Sequence, residues 1–361
     1  MKYNQVYGKY SLGTGGWIED SLFEKGQKDV YGKSIIDSYI KQVSLDLERI
    51  GVKKDLDKIS IMDVGTGRQA LALYAMGAKK ITHYDISYTN VKEFSHYTKL
   101  NNIPINSYHE DICNRNFNNN EKFDFIYLQG IIQHVKDAYM AIENLSKASH
   151  LNSKMWFYNY QAGPLNHLYV EVLRKVLPNN INYEDLILKL KKYNLSAKNI
   201  DTIVDDLGCT FRNLISNDSY KKALEKFGYV RYYTKDVAEQ SKGLDLKLKR
   251  TACISAFKKT NNFQESIKVN STDLTHLDHF DPKNFLPEQR SYVNHANIIF
   301  QEIINKNIKV NLPESNFVDV CIPLLKGLAL QDINKPFIEN QKKLIDNLKA
   351  TSQRFDNFIA T

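Results

Sequence analysis

Long apolar runs are missing from this sequence, and so is the apolar stretch of an export signal. No segment approaches the roughly 18 consecutive apolar residues that a membrane-spanning helix requires. The opening Met-Lys-Tyr-Asn-Gln is polar, so neither a membrane span nor export is predicted, and we expect a cytoplasmic protein. Proline and glycine are also scarce, with 8 and 16 residues among 361, which excludes collagen-like and low-complexity classes.

Cysteine is rare and widely spaced. The four cysteines are Cys113, Cys209, Cys253 and Cys321, and none belongs to a C-x-x-C pair. A disulfide scaffold or a zinc knuckle needs closely spaced cysteines, so we expect reduced thiols. His276 and His279 imitate a metal site, but no helical pattern aligns them, and we predict no bound metal.

The chain has a net charge of +8, and the positive excess is unevenly placed. Residues 164–261 contain 18 basic and 11 acidic side chains, whereas the segments on either side are nearly neutral. The basic residues are scattered along predicted helices and strands rather than massed in one tail. Both a solvated surface and a binding surface for an anionic group fit this pattern.

A strand, a glycine turn, a helix and a second strand follow one another between residues 59 and 85. This order predicts a right-handed β-α-β unit at the start of a parallel sheet. Gly65 and Gly67 let a ligand lie against bare backbone beside the N-terminus of the helix. Asp85 ends the second strand, where a carboxylate can accept both hydroxyls of a ribose. The pattern favours a nucleoside-containing cofactor; the alternatives are an empty turn and, for Asp85, an N-cap of the next helix.

The segment G-T-G-R-Q-A also fits the dinucleotide fingerprint, so the surrounding residues decide between NAD and S-adenosylmethionine. Asp63 precedes the first glycine by two residues, where an acid can receive a cationic amino group. Asp111 and Ile112 follow a predicted third strand and are placed to bind an adenine, although Asp111 could be a loop acid. A fourth strand, from Phe123 to Gly130, leads to His134. Together these features favour S-adenosylmethionine.

In these motifs the chain resembles the class I S-adenosylmethionine-dependent methyltransferases, especially those that act on small molecules. The resemblance covers residues 59 to about 160, with a tail to about 259. It depends on D-V-G-T-G, Y-D-I-S, E-D-I and F-D-F-I-Y-L-Q-G-I-I-Q-H-V, in that order. Gln69 stands where the family often has a third glycine. The resemblance implies an α/β fold with a Rossmann-like sheet of seven strands and S-adenosylmethionine as cofactor.

The resemblance also implies which residues bind the cofactor. Asp63, Gly65, Thr66 and Gly67 would line its methionine end, Asp85 and Ile86 its ribose and adenine, Asp111 and Ile112 its adenine, and Gln129 the wall beside its sulfonium. Asp124, at the start of the fourth strand, is predicted to anchor that strand rather than to touch a ligand.

Three residues are candidates for catalysis. His134 follows the fourth strand at the carboxyl edge of the sheet, where open α/β sheets bind ligands. A neutral imidazole there could remove a proton from a hydroxyl or an amine as it attacks the methyl group; support of the cofactor pocket is the alternative. Tyr158 and Tyr160 end a predicted fifth strand, Lys154 to Tyr160, and could orient the acceptor, although core packing would also explain them.

We predict three parts in the chain. Residues 1–58 form a leader, residues 59–259 form the methyltransferase domain with a helical roof at 164–210, and residues 262–361 form a helical extension. The extension packs on the core or pairs two subunits.

The predicted activity is methyl transfer to a small molecule by in-line displacement. The basic segment favours an acceptor that carries a carboxylate, phosphate or sulfonate. An RNA methyltransferase that uses residues 164–261 is disfavoured, because RNA-binding modules and a massed basic patch are both absent from the sequence. A cofactor-binding scaffold without turnover is the third hypothesis.

Overall fold

The computed structural model describes residues 33–117, 121–160, 209, 211–238 and 250–261, with positions 267, 269 and 274. The chain divides into two compact units, and nearly all described residues belong to the first, which comprises Met1–Gln161, Cys209–Val237 and Ala252–His276. Most of the predicted leader, roof and extension lies outside the described residues, as do His276 and His279. The predicted division of the chain and the pairing of subunits stay predictions.

Seven strands form one mixed sheet in the described part of the chain. They are β1 (Ser60–Val64), β2 (Lys80–Asp85), β3 (Ile105–His109), β4 (Phe123–Gln129), β5 (Ser149–Tyr160), β6 (Tyr229–Ala238) and β7 (Arg250–Lys259). Their order across the sheet is β3-β2-β1-β4-β5-β7-β6. Strands β1 to β5 pair in parallel, and β7 runs antiparallel to β5. The predicted Rossmann-like α/β fold with seven strands is confirmed.

Five α-helices accompany the strands in the same residues. They are α1 (Lys33–Arg49), α2 (Arg68–Ala75), α3 (Tyr88–Leu100), α4 (Ala138–Lys147) and α5 (Asn217–Lys226). Helices α3, α4 and α5 each begin at a side chain that accepts a backbone N–H of the first turn; these caps are Ser87, Asp137 and Ser216. Such caps satisfy a donor that the helix leaves unpaired. No helix among the described residues is long and apolar enough to cross a membrane.

The alternation of side chains gives the sheet two different faces. On one face, Met62 and Leu128 belong to an apolar core that also contains side chains of α4 and α5. On the other face, Asp63, Tyr127 and Trp156 are neighbours in the register of β1, β4 and β5. Successive side chains of a strand point to opposite faces of the sheet, so these polar and aromatic groups lie on one side. The second face therefore carries the polar chemistry of the sheet.

Strand β5 is longer than the sequence pattern indicates. It begins at Ser149 rather than at Lys154, and its pairing with β4 shifts just after Phe123. Within the added part, Asn152 has a φ of 73°, a turn-like conformation that explains why the pattern indicates a loop there. The Ser153 hydroxyl donates to the Phe123 carbonyl at 2.6 Å and so keeps this irregular segment attached to β4.

Asp124 anchors the start of β4, as predicted. Its Oδ2 accepts the backbone N–H and the hydroxyl of Ser60, both at 2.8 Å, and its Oδ1 lies 2.8 Å from Nε2 of His150. Partial burial acts to raise the pKa of Asp124, but the bonds from Ser60 and His150 lower it below its usual value. These bonds join β1, β4 and β5 at the sheet edge opposite the glycine turn.

Candidate functional site

Five parallel strands end at one edge of the sheet, which we call the carboxyl edge. The final residues of β1 to β5 are Val64, Asp85, His109, Gln129 and Tyr160. All predicted site residues lie at these strand ends or in the segments that directly follow them. In open α/β sheets ligands bind at this edge.

The glycine turn, residues 65–67, connects β1 to α2 in a conformation that only glycine adopts easily. Gly65 has a φ of 131°, and Gly67, the N-cap of α2, has a φ of 79°. A Cβ at Gly67 would lie 2.6 Å from the ring of Phe94. Between the glycines, the half-buried Thr66 has a hydroxyl without a hydrogen-bond partner among the described residues. The turn thus presents backbone and one small hydroxyl at the N-terminus of a helix, which attracts negative or polar ligand groups.

Asp63 is a buried acid with few contacts that would stabilise its negative charge. Its side chain is 1% exposed, and neither carboxylate oxygen has a hydrogen bond within the described structure. Burial, and secondly the charge of Asp85, raise the pKa of Asp63 to about 8, while a weak contact from the Ala70 N–H opposes the rise. A carboxyl group in this state gains most from a cationic partner.

Asp85 is also buried but is well supported by hydrogen bonds from its own chain. Oδ1 accepts the Ser87 N–H at 2.7 Å, and Oδ2 accepts an amide N–H of Asn90 at 2.9 Å. Burial raises the pKa of Asp85 to about 7, although these two bonds lower it. The N-cap of α3 is Ser87, not Asp85. Asp85 is thereby held in a fixed orientation at the end of β2.

The other predicted adenine contacts have local roles in the fold. Ile86 is half-buried, and its carbonyl oxygen lies 2.9 Å from Nε2 of His109. Asp111 accepts the Cys113 N–H at 2.8 Å, which is the loop role that the sequence also allows. Ile112 is 4% exposed and belongs to the apolar core. These three residues therefore lie at the ends of β2 and β3 without a structural feature that by itself indicates a ligand.

The three candidate catalytic residues come together at the carboxyl edge, with Tyr158 and Tyr160 in the last part of β5 and His134 in the segment after β4. The ring centroids of His134 and Tyr160 are 5.8 Å apart, and those of Tyr158 and Tyr160 are 6.2 Å apart. Nδ1 of His134 lies 3.1 Å from the carbonyl oxygen of Phe211. Because a carbonyl can only accept, Nδ1 carries a proton, and in the neutral form of such a ring Nε2 is the nitrogen with the lone pair. This is the tautomer that a general base needs.

Gln129 connects this cluster to the aromatic face of the sheet. It is paired with Tyr158 in the register of β4 and β5, and its Oε1 accepts the indole N–H of Trp156 at 2.8 Å. The Trp156 ring stacks on Tyr127 at a centroid distance of 6.2 Å and an angle of 5°. Gln129 is therefore oriented by the indole, with its oxygen turned towards Trp156.

Residues 211–213 close over the turn that follows β4. The backbone N–H of Asn213 donates to the Gln133 carbonyl at 2.6 Å, and its side-chain amide donates to the Val135 carbonyl at 2.7 Å. This attachment places Arg212, which is 4% exposed, with its guanidinium carbon 5.8 Å from the centre of the Tyr160 ring. A buried cation therefore stands beside the candidate catalytic cluster.

His83 is a buried residue of the site that the sequence pattern did not single out. Its Nε2 lies 2.5 Å from the Gly65 carbonyl oxygen, and its Nδ1 lies 2.7 Å from the Ser107 hydroxyl. Its ring packs on Phe94 with centroids 4.6 Å apart. The available signal is a polar residue in the middle of an apolar strand, two positions before Asp85.

A second buried network that the sequence did not indicate joins α1 to β4. The Tyr127 hydroxyl donates to Asp46 at 3.0 Å, and Arg49 donates to the other oxygen of Asp46 at 3.2 Å. Burial raises the pKa of Asp46 to about 6, although both bonds lower it. The network fixes α1 on the face of the sheet that carries Asp63.

Comparison with known proteins finds a family of methyltransferase domains whose model matches residues 62–156. The matched segment runs from β1 into β5 and contains every residue that the sequence predicts to bind the cofactor. Among curated proteins, the chain is similar to the ubiquinone biosynthesis O-methyltransferase of Bartonella tribocorum. The two are 25% identical over 195 residues, which cover 52% of this chain and 77% of that protein.

Among solved structures, the chain is similar to two methyltransferases. An S-adenosylmethionine-dependent methyltransferase from Clostridium acetobutylicum is 14% identical and aligns with a TM-score of 0.42, over 62% of this chain and 92% of that one. The magnesium protoporphyrin IX methyltransferase of Synechocystis PCC 6803 is 13% identical, with a TM-score of 0.41 over 72% of this chain and 92% of that one.

Proposed function

We propose that this chain, a class I S-adenosylmethionine-dependent methyltransferase, transfers the methyl group to a small-molecule acceptor that carries an anionic group. S-adenosylmethionine supplies an electrophilic methyl group on a sulfonium, and in-line displacement requires the acceptor atom about 3–3.5 Å from it. The residues of the chain then have three tasks. They hold the cofactor, they orient the acceptor, and they take up a proton where the acceptor atom carries one.

The observation that carries this proposal is the state of Asp63. A buried carboxyl group without a hydrogen bond is costly in the interior, and Asp63 precedes the glycine turn at the carboxyl edge of the sheet. The ammonium group of S-adenosylmethionine carries the positive charge that would pair with the Asp63 carboxylate. We therefore assign Asp63 to the methionine end of the cofactor, together with Gly65, Thr66 and Gly67.

Asp85 is assigned to the ribose. Its bonds to Ser87 and Asn90 fix both oxygens, and each carboxylate oxygen has a further lone pair for a ribose hydroxyl. Ile86, Asp111 and Ile112 are assigned to the adenine, and Gln129 to the wall beside the sulfonium. These assignments depend on their positions at the carboxyl edge.

His134 is proposed as the general base. The bond from Nδ1 to Phe211 sets the tautomer in which Nε2 can accept a proton from the acceptor. Replacement of His134 by Gln should lower kcat about 100-fold for a hydroxyl or amine acceptor and leave the affinity for the cofactor unchanged. A matched control is His150→Gln, because His150 lies at the opposite edge of the sheet. Equal losses of kcat and cofactor affinity in the His134 variant would instead place His134 in the wall of the cofactor pocket.

The position of Arg212 favours an acceptor that carries an anionic group. Its guanidinium lies against Tyr160 in a buried position, and a guanidinium fork matches the geometry of a carboxylate or phosphate. Replacement of Arg212 by Lys keeps the charge but loses the fork. It should raise KM for a carboxylate-bearing acceptor about tenfold and leave KM unchanged for the methyl ester of the same acceptor. An equal effect on both compounds would contradict the assignment.

The proposed activity is tested by incubating the protein with a metabolite extract and S-adenosylmethionine whose methyl group is deuterated. The expected result is one small anionic product that gains the mass of a labelled methyl group and is missing with the Asp63→Ala variant. Retention of the label in RNA would support an RNA methyltransferase. Tight binding of the cofactor with no labelled product from any extract would support a scaffold without turnover.

A further inference from the structure

We propose that His83 and Ser107 are positioning residues that fix the orientation of the glycine turn, residues 65–67. The proposal deepens the proposed function, because the turn would bind the cofactor through its backbone. Neither residue belongs to the set predicted from the sequence. His83 lies in β2, the neighbour of β1 in the sheet, and Ser107 lies in β3, on the other side of β2.

Gly65 is held on both of its backbone groups by consecutive residues of β2. Its N–H donates to the Tyr84 carbonyl at 3.0 Å, which extends the ladder between β1 and β2. Its carbonyl accepts from Nε2 of His83. A residue held in this way cannot rotate its peptide groups independently, so the first bend of the turn is fixed by β2.

The Gly65 carbonyl determines which nitrogen of His83 carries the proton, and Ser107 is the hydrogen-bond partner of the other nitrogen. The Gly65 carbonyl only accepts, so Nε2 must donate, and Nδ1 of the neutral ring must then accept. The Ser107 hydroxyl lies 2.7 Å from Nδ1 and can donate to it. Burial lowers the pKa of His83 to about 4, although the bond to Gly65 opposes this, so the ring is neutral at neutral pH. The hydrogen bonds therefore run in one direction, from the Ser107 hydroxyl to His83 and from His83 to the Gly65 carbonyl.

The orientation of the Gly65 carbonyl determines the direction of the next backbone N–H. In a trans peptide the N–H points opposite to the C=O, and no cis peptide is present in the described chain. With the Gly65 carbonyl turned towards His83, the Thr66 N–H must point away from His83. The imidazole therefore sets the direction of a backbone donor at the centre of the glycine turn.

Phe94 packs against both His83 and the glycine turn and restricts their movement. Its ring packs on the His83 ring and occupies the space where a side chain at position 67 would lie. The same aromatic ring therefore contacts both the His83 imidazole and Gly67. Movement of His83 would require movement of Phe94, which is itself fully buried in α3.

The test compares two substitutions of His83 that differ in the donor. His83→Gln keeps an N–H donor near the position of Nε2, whereas His83→Phe keeps an aromatic ring against Phe94 and has no donor. We expect His83→Phe to weaken binding of S-adenosylhomocysteine about tenfold or more, and His83→Gln to weaken it less than about threefold. Calorimetric titration measures both, and thermal unfolding measures the accompanying loss of stability. Equal weakening of S-adenosylhomocysteine binding by both substitutions would overturn the proposal. It would show that loss of the N–H donor has no effect beyond the change in packing.

A second measurement uses the unmodified protein without cofactor. Nitrogen-15 NMR of the histidine rings should show His83 as the neutral Nε2–H tautomer, and Ser107→Ala should leave that tautomer in place but increase hydrogen exchange at the Thr66 amide. An Nδ1–H tautomer or an imidazolium at neutral pH would overturn the proposal. This result is independent of the proposed function. Failure of the unmodified protein to bind S-adenosylhomocysteine would contradict the proposed function alone, and the tautomer would still decide the role of His83.

Discussion

The charge of Asp85, at the end of β2, acts on the buried carboxyl group of Asp63 in the neighbouring strand β1. Burial is the larger cause of the raised pKa of Asp63, and the charge of Asp85 adds to it. The pKa of Asp63 is about 8 and that of Asp85 about 7, against 3.8 for an ordinary aspartate. Asp63 therefore retains a proton at neutral pH until a cation approaches.

The first prediction concerns stability. In the unfolded chain Asp63 loses its proton near pH 4, whereas in the folded protein it holds the proton up to about pH 8. Asp63 therefore lowers the free energy of unfolding progressively as the pH rises from about 4 to about 8. The Asp63→Asn variant lacks this effect. Urea denaturation should show the variant gaining stability relative to the natural protein across this range, by on the order of a few kcal/mol at pH 8. A difference that is independent of pH would show that Asp63 is already ionised in the folded protein.

The second prediction concerns protons released on binding. If the ammonium group of the cofactor pairs with Asp63, the carboxyl group must ionise, so binding at pH 7 should release close to one proton. Calorimetry of S-adenosylhomocysteine binding in two buffers with different ionisation enthalpies measures this number. Affinity should rise with pH until about pH 8, the pKa of Asp63. In Asp63→Asn both the proton release and the pH dependence should fall sharply; an unchanged release would assign it to another group.

The strands and the glycine turn could be predicted because their signals are local. A strand that ends in Asp63-Val64, two glycines and a helical pattern occupy one short stretch, and such a unit predicts two parallel strands joined by a right-handed crossover. The prediction for Asp124 was correct for the same reason, since an acid at the start of a strand has few roles other than anchoring.

The supporting contacts could not be predicted because their partners are distant in the sequence. Tyr127 and Asp46 are separated by 81 residues, and His134 and Phe211 by 77. No periodicity or motif connects such pairs, and only the packing of α1 and of residues 211–213 on the sheet brings them together. His83 was missed for another reason. A histidine within a strand gives no sign of its partner until the neighbouring turn is placed.

The third prediction concerns the bond between Tyr127 and Asp46. Tyr127→Phe removes a hydrogen bond to a buried carboxyl group and should destabilise the protein by about 1–3 kcal/mol at pH 8. Because the pKa of Asp46 is about 6, the group is ionised at pH 8 and largely protonated at pH 5, where the lost bond matters less. The destabilisation should therefore be smaller at pH 5. The control is the same substitution in an Asp46→Asn background, where the effect of Tyr127→Phe should no longer depend on pH; a persistent dependence would point to Asp63 instead.

The fourth prediction separates backbone strain from steric conflict at the glycine turn. Gly67 and Gly77 flank α2, and both have a positive φ, of 79° and 107°. An added Cβ at Gly67 meets the Phe94 ring at 2.6 Å, whereas one at Gly77 meets nothing within 4 Å. Gly77→Ala should therefore cost only backbone strain, about 1–3 kcal/mol, and leave the binding of S-adenosylhomocysteine unchanged.

Gly67→Ala should cost about 1–3 kcal/mol more than Gly77→Ala, because Phe94 must move, and it should also weaken binding of S-adenosylhomocysteine. Phe94→Ala provides the decisive control, since it removes the ring atoms that the added Cβ would meet and does not change φ. In the Phe94→Ala background the difference between the two glycine variants should shrink to the value set by strain alone. Denaturation curves of the four variants measure this coupling directly. If the difference persists at full size, the Phe94 ring is not the obstacle, and the demand for glycine at position 67 comes from the φ of the turn alone.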